Sequence, residues 1–151
     1  MKNLKSFLIV LFGALVLFSS CSTDKTIIAK GVNLDHYQYA SLVQGTNGFG
    51  TTTDIEIEPG IYDAVEATRL KMVGDRRIDD LSKSEKENLV LVKYSATSTT
   101  SESVLSVSFE DYMTGKTIAS CRSSNRTAWT RQADVNRAIR KVAKRIARIW
   151  R

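Results

Sequence analysis

Few side chains in this chain are of a type that does chemistry. The candidates are two thiols (Cys21 and Cys121), a single imidazole (His36), alternating carboxylates at Asp54, Glu56 and Glu58, and a serine- and threonine-rich stretch over residues 95–103. A nucleophilic Ser101 or Ser103 needs a base within hydrogen-bond reach. His36 is the one histidine, with no second partner apparent, so the stretch reads better as a hairpin loop. If residues 54–58 are extended, the three carboxylates share one face and could meet a hard cation such as calcium. No glycine turn or further oxygen ligand stands nearby, and a solvated strand face is the simpler account. The expectation is therefore a protein with no catalytic residues and no metal.

Cys21 stands apart because of what precedes it. Lys2 and Lys5 open the chain, an apolar run follows from Phe7 to Phe18, and Ser19 and Ser20 lead into Cys21. A basic start, an apolar middle and small residues at the cut are the marks of an export signal. The run is shorter than the roughly 20 residues that cross a bilayer core, so it reads as a cleaved leader covering residues 1–20. Residues 21–25 then form a polar tether and 26–151 one domain. The mature chain, without Lys2 and Lys5, keeps 20 basic and 16 acidic residues. The excess is local: from Arg131 to Arg151 eight bases face one acid, Asp134. Such a stripe raises nucleic acid as a partner, but an exported domain does not meet it. Anionic lipid, lipopolysaccharide phosphates or an acidic protein surface remain.

The elements that must position these groups follow from periodicity. Residues 26–32 and 33–43 are strand-like, and residues 44–53, with three glycines and four threonines, form a loop. Pro59 opens a helix whose stripe is Ile61, Val65, Thr68 and Met72 and whose cap is Gly74. A short edge strand over 76–81 and a charged loop over 82–88 come next. Residues 89–94 form the most apolar strand. Residues 104–109 alternate with Leu105, Val107 and Phe109 inward. Residues 110–116 turn with Gly115 in the left-handed position, and 117–123 return. The last helix starts after Thr130 or Ala133. It has an apolar stripe (Val135, Ala138, Ile139, Val142, Ala143, Ile146, Ile149, Trp150) and an opposite basic face of Arg137, Arg140, Lys141, Lys144, Arg145 and Arg148. The fold class is α+β: an antiparallel or mixed sheet of four to five strands with two helices on one face.

Leu17-Phe18-Ser19-Ser20-Cys21 resembles the lipobox of bacterial lipoproteins, with Phe18 where Leu is commonest. The resemblance implies cleavage before Cys21 and a diacylglycerol on its thiol, so the cofactor expectation is none beyond that covalent lipid. Cys121 is then alone, and a buried thiol acting as a small hydrophobe is the commoner fate. Four further pieces carry a wider likeness: Asn33-Leu34-Asp35-His36-Tyr37-Gln38-Tyr39-Ala40, Met72-Val73-Gly74, Leu89-Val90-Leu91-Val92-Lys93-Tyr94 and Glu110-Asp111-Tyr112-Met113-Thr114-Gly115-Lys116. Together they resemble a group of small Gram-negative lipoproteins known as a domain of unknown function. This chain lacks a tryptophan soon after Tyr39 or after Lys116, and adds the long basic helix. The resemblance bears on fold; the anchor and the lack of a catalytic constellation give the expectation of a non-enzymatic envelope lipoprotein, at the outer membrane rather than the inner. Its domain serves an accessory or interaction role with an envelope protein. The alternative is a binder of membrane surfaces or anionic ligands through the basic helix.

Overall fold

Alternation of apolar and small polar residues builds the centre of the domain. The computed structural model describes residues 24–43, 46–47, 54–98, 102–125 and 131–151. The leader, Cys21, most of the 44–53 loop and Ser101 lie outside them, and so do the readings made there. Among the described residues the strands are β1 (Lys25–Ile28), β2 (Tyr39–Leu42), β3 (Thr46–Asn47), β4 (Lys71–Met72), β5 (Leu89–Ser98), β6 (Ser103–Asp111) and β7 (Thr117–Asn125). The helices are α1 (Asp54–Glu66), α2 (Lys83–Glu87) and α3 (Arg131–Ile149). The sheet runs β1-β7-β6-β5-β2-β4, with β3 beside β5. β5, β6 and β7 form an antiparallel meander, β1 pairs antiparallel with β7, and β2, β3 and β4 enter parallel.

The fold is therefore α+β with a mixed sheet, and it has six strands along its path rather than four or five. The extra strands are the short parallel pieces, which are too brief to show a period. Along β6, Ser103, Leu105, Val107 and Phe109 are buried while Val104, Ser106, Ser108 and Glu110 are half-buried. One face of the sheet is thus covered and the other open, as strand alternation requires. α3 lies on β6 and β7 and against α1. Its Val135, Ala138, Val142, Ile146 and Trp150 meet Val90, Val92, Val107 and Phe109 in a single core. Two helices on one face hold as expected.

Four elements differ from the sequence reading. Residues 54–58 are the first turns of α1, not a strand, so their carboxylates do not line an extended face. The cause is Ile57, which sits one turn ahead of Ile61; Ile57, Ile61, Ala64 and Val65 form the buried stripe. That helix ends at Glu66, not Gly74. The Thr68 hydroxyl donates to the Val65 carbonyl at 2.6 Å and accepts from the Leu70 N–H, turning the chain into β4. Gly74 instead precedes a 3-10 turn over Asp75–Arg77, where an edge strand was expected. The charged loop at 82–88 contains α2, held by a capping box: Glu85 N–H donates to Ser82 Oγ and Ser82 N–H donates to Glu85 Oε2. Near the start, the second expected strand is a 3-10 turn over Leu34–His36 followed by β2.

Two glycines are fixed by geometry. Gly115 has φ +66 in the β6–β7 turn, the left-handed position foreseen for it. Gly60 lies where α1 meets α3, and a Cβ there would stand 2.8 Å from Ile139 Cγ2. Gly60→Val should therefore lower the unfolding free energy by about 1–3 kcal/mol through overpacking. A urea titration reads this, and an unchanged midpoint would mean the helices are free to separate.

Candidate functional site

The first described residue is Asp24, three residues beyond Cys21 and inside the stretch read as tether. Asp24 Oδ1 accepts from Ser123 Oγ at 2.9 Å and from the Ser124 N–H at 3.2 Å. Its Oδ2 lies 3.2 Å from Arg145 Nη2 and 3.8 Å from Lys141 Nζ. Arg145 Nη1 also donates to Thr26 Oγ1, and Lys141 Nζ to the Ser124 carbonyl. One carboxylate thus joins the start of β1, the end of β7 and α3. Burial pushes its pKa up, but the Ser123 hydroxyl, the Ser124 N–H, Lys141 and Arg145 outweigh it. The carboxyl is held below its usual range.

This junction divides the basic face of α3. Lys141 and Arg145 turn inward to Asp24, with side chains 38% and 22% exposed. Arg137, Arg140, Lys144 and Arg148 are exposed. No ion pair joins these four among the described residues. Arg145 also reaches β1, whose Ile27 and Ile28, on opposite faces of the strand, are each 48% exposed.

Sequence reasoning missed a second cluster, at the far end of α3. Trp150 is buried, with its ring edge-on to Phe109 at 5.2 Å and to Tyr37 at 6.2 Å. The Arg69 guanidinium lies 5.5 Å from the indole centroid. Arg69 also donates to the carbonyls of Tyr37 and Leu34, at 2.7 and 2.6 Å. The Tyr37 hydroxyl donates to Asp111 Oδ2 at 2.8 Å. Burial, with the Asp111 bond and charge, pushes the phenol up to about 12. Burial raises Asp111 too, but bonds from Thr114, Tyr37 and the Met113 N–H bring it below the usual range. The one available sequence signal was Tyr37 itself, within the early motif.

The remaining candidates have structural surroundings. His36 Nε2 bonds the Glu87 carbonyl at 3.1 Å and its ring packs edge-on to Tyr37. Cys121 is 1% exposed, and burial pushes its thiol up to about 12 against a smaller opposing pull from Arg145. It is a free, inert thiol within the core. Ser103 is buried at the start of β6. Among the described residues no three His, Cys, Asp or Glu side chains gather to hold a metal, and no helix is long and apolar enough to cross a membrane.

Two clefts flank β4 at the opposite edge of the sheet. One of about 320 Å³ lies among Tyr39, Lys71, Arg77, Asp80 and Glu85; the other, of about 250 Å³, lies among Leu42, Glu58, Tyr62 and Asp75. Val73 and Gly74 line both. Lys71 donates its N–H to the Gln38 carbonyl, just before β2, and Val73 donates to the Ala40 carbonyl within it. Backbone groups alternate sides along a strand, so those of Met72 face outward along an edge that no described strand covers.

No family model matches this chain, and no curated protein matches it. Solved structures do. A point variant of the PelC dodecamer from Paraburkholderia phytofirmans superposes with a TM-score of 0.59 at 10% identity, over 85% of this chain and 98% of that one. A second PelC dodecamer structure from that organism gives 0.56 at 14% identity, over 85% and 97%. The C-terminal domain of LpoB from Salmonella enterica gives 0.45 at 14% identity, over 66% and 88%. At these identities the likeness to PelC is one of fold: the mixed sheet with its helical layer is an architecture already seen in a solved protein.

Proposed function

We infer that this is a non-enzymatic lipoprotein of a Gram-negative cell envelope, attached to the outer membrane through lipid on Cys21. The folded domain acts as an accessory or docking module for an envelope protein. The observation that carries this reading is the seating of Asp24. A mature chain that starts at Cys21 reaches an ion-paired junction within three residues, so an acyl anchor on Cys21 joins the sheet edge with almost no slack. The shared fold of PelC, solved as a dodecamer, supports a role in assembly rather than in turnover. The roles of His36 and Cys121 in packing support it as well. A partner's extended segment is best received at the β4 edge, where Met72 offers unpaired backbone groups between two clefts.

Cys21→Ser should abolish incorporation of labelled fatty acid, and continued labelling would sink the lipoprotein reading. Photocrosslinking in intact cells from position 77, beside the larger cleft, should give a discrete adduct with one envelope protein. Adducts with nothing but lipid would remove the docking role.

A further inference from the structure

We propose that the domain does not stand away from the bilayer but lies on it along the α3–β1 edge, with Arg137, Arg140, Lys144 and Arg148 against anionic phospholipid headgroups. This rests on membrane attachment at Cys21. The first argument is reach. Three residues of extended chain span about 10 Å, so an anchor on Cys21 holds the bilayer surface within that distance of Asp24. Asp24 is itself fixed 3.2 Å from Arg145 of α3. The helix therefore passes beside the attachment point, and the rest of the domain cannot be lifted away from it by a long linker.

The second argument is the character of the surface that lies within reach. The four cations recur at three- and four-residue spacing over roughly 16 Å of helix, and no described residue neutralises them. Ile28, 48% exposed, stands on the edge strand on the same side as Thr26, which Arg145 reaches, and the exposed Lys30 follows. An aliphatic side chain flanked by cations suits the boundary between headgroups and acyl chains. The open sheet face is sparser in charge: Lys93 is paired with Glu110 among serines, and the exposed Lys25 and Arg122 stand opposite each other at the same β1 edge. α1, on the other flank of α3, exposes Glu58, Asp63 and Glu66. The domain therefore leans to the β1 side of α3 rather than resting on both helices.

The third argument is magnitude. Each cation near an anionic surface strengthens binding about fivefold at low salt. This is weak for a domain free in solution, but the tether makes contact intramolecular and raises the effective concentration of headgroups to the millimolar range or above. The contact is ionic and exposed, so added salt weakens it.

The test uses the full lipidated chain in vesicles of phosphatidylcholine with or without phosphatidylglycerol, carrying an energy-transfer acceptor on the headgroups. Single donors are placed at Arg148→Cys, on the lipid-facing stripe, and at Ser108→Cys, on the open sheet face; buried Cys121 stays unlabelled. Transfer should be several-fold greater from position 148 than from 108 with phosphatidylglycerol present. The difference should collapse at high salt and in a chain carrying Arg137→Glu, Arg140→Glu and Lys144→Glu. Equal transfer from both positions, or a difference that ignores phosphatidylglycerol, overturns the proposal; donor–donor transfer between copies would assign the stripe to self-association instead. Fatty-acid labelling of the same preparation reports attachment separately. In the Cys21→Ser chain the uncut apolar leader still holds the domain at the bilayer, so docking is read whether or not Cys21 carries lipid.

Discussion

Trp150→Ala lowers the unfolding free energy by about 3–5 kcal/mol, the cost of emptying a large core site that cannot collapse. The expected loss is a third or more of the stability of an ordinary domain. Trp150 joins elements far apart in sequence: it touches Phe109 of β6, Tyr37 before β2 and Arg69 after α1. Its removal leaves the last turn of α3 without a partner and takes the cation–π contact from Arg69. Trp150→Phe should cost much less, under about 1.5 kcal/mol, because it keeps the ring contact. The buried indole N–H has no acceptor among the described residues, so the phenylalanine also removes an unsatisfied donor. Urea unfolding followed by circular dichroism measures both. Similar losses in the two variants would show that ring volume is not what holds the helix end.

Asp24→Ala carries the next largest effect, about 2–3 kcal/mol. Removing one partner of a fully buried pair costs more than this, but the Asp24 and Arg145 side chains keep 13% and 22% exposure, so solvent recovers part of it. The variant takes the carboxylate from Arg145 and Lys141 and an acceptor from the Ser123 hydroxyl and the Ser124 N–H. The pH dependence has a definite sign. Asp24 and Asp111 both have folded pKa values below their unfolded values. The stability they contribute is complete above the unfolded carboxylate range, roughly pH 4, and is lost as pH falls through the folded values. Thermal midpoints should hold from pH 7 to about 5 and fall steeply below 4. Asp24→Asn should start lower at neutral pH and fall less in acid. An unaltered acid slope in that variant would remove Asp24 from the account.

The parts of this fold that could be read in the sequence are those whose periodicity matches their burial. β6 and α3 show their faces directly, because Leu105, Val107 and Phe109 alternate and Val135, Ala138, Val142 and Ile146 recur at helical spacing. Gly115 announced its turn. Residues 54–58 misled because alternating carboxylates fit a strand and a helix start equally well over so short a window. β3 and β4, at two residues each, have no period, and α2 rests on a local capping box rather than an apolar stripe. On the site, periodicity gave the basic face of α3 but not its division. Lys141 and Arg145 leave it for Asp24, more than a hundred residues earlier, and no local pattern encodes a partner at that distance. Tyr37 and Asp111, 74 residues apart, were hidden for the same reason.

The pairing of β1 with β7, joined to α3 through Asp24, and the packing of Trp150 on β6 bear on biogenesis. An emerging chain cannot complete this core until Trp150 has been made, since the edge strand, the last strand and the last helix must all be present together. Contacts so distant in sequence slow folding, because loops must close before any contact compensates. A polypeptide bound for secretion has to pass its translocation channel unfolded. On the export proposed above, a topology that delays collapse until the last helix is made favours a chain that is still threadable.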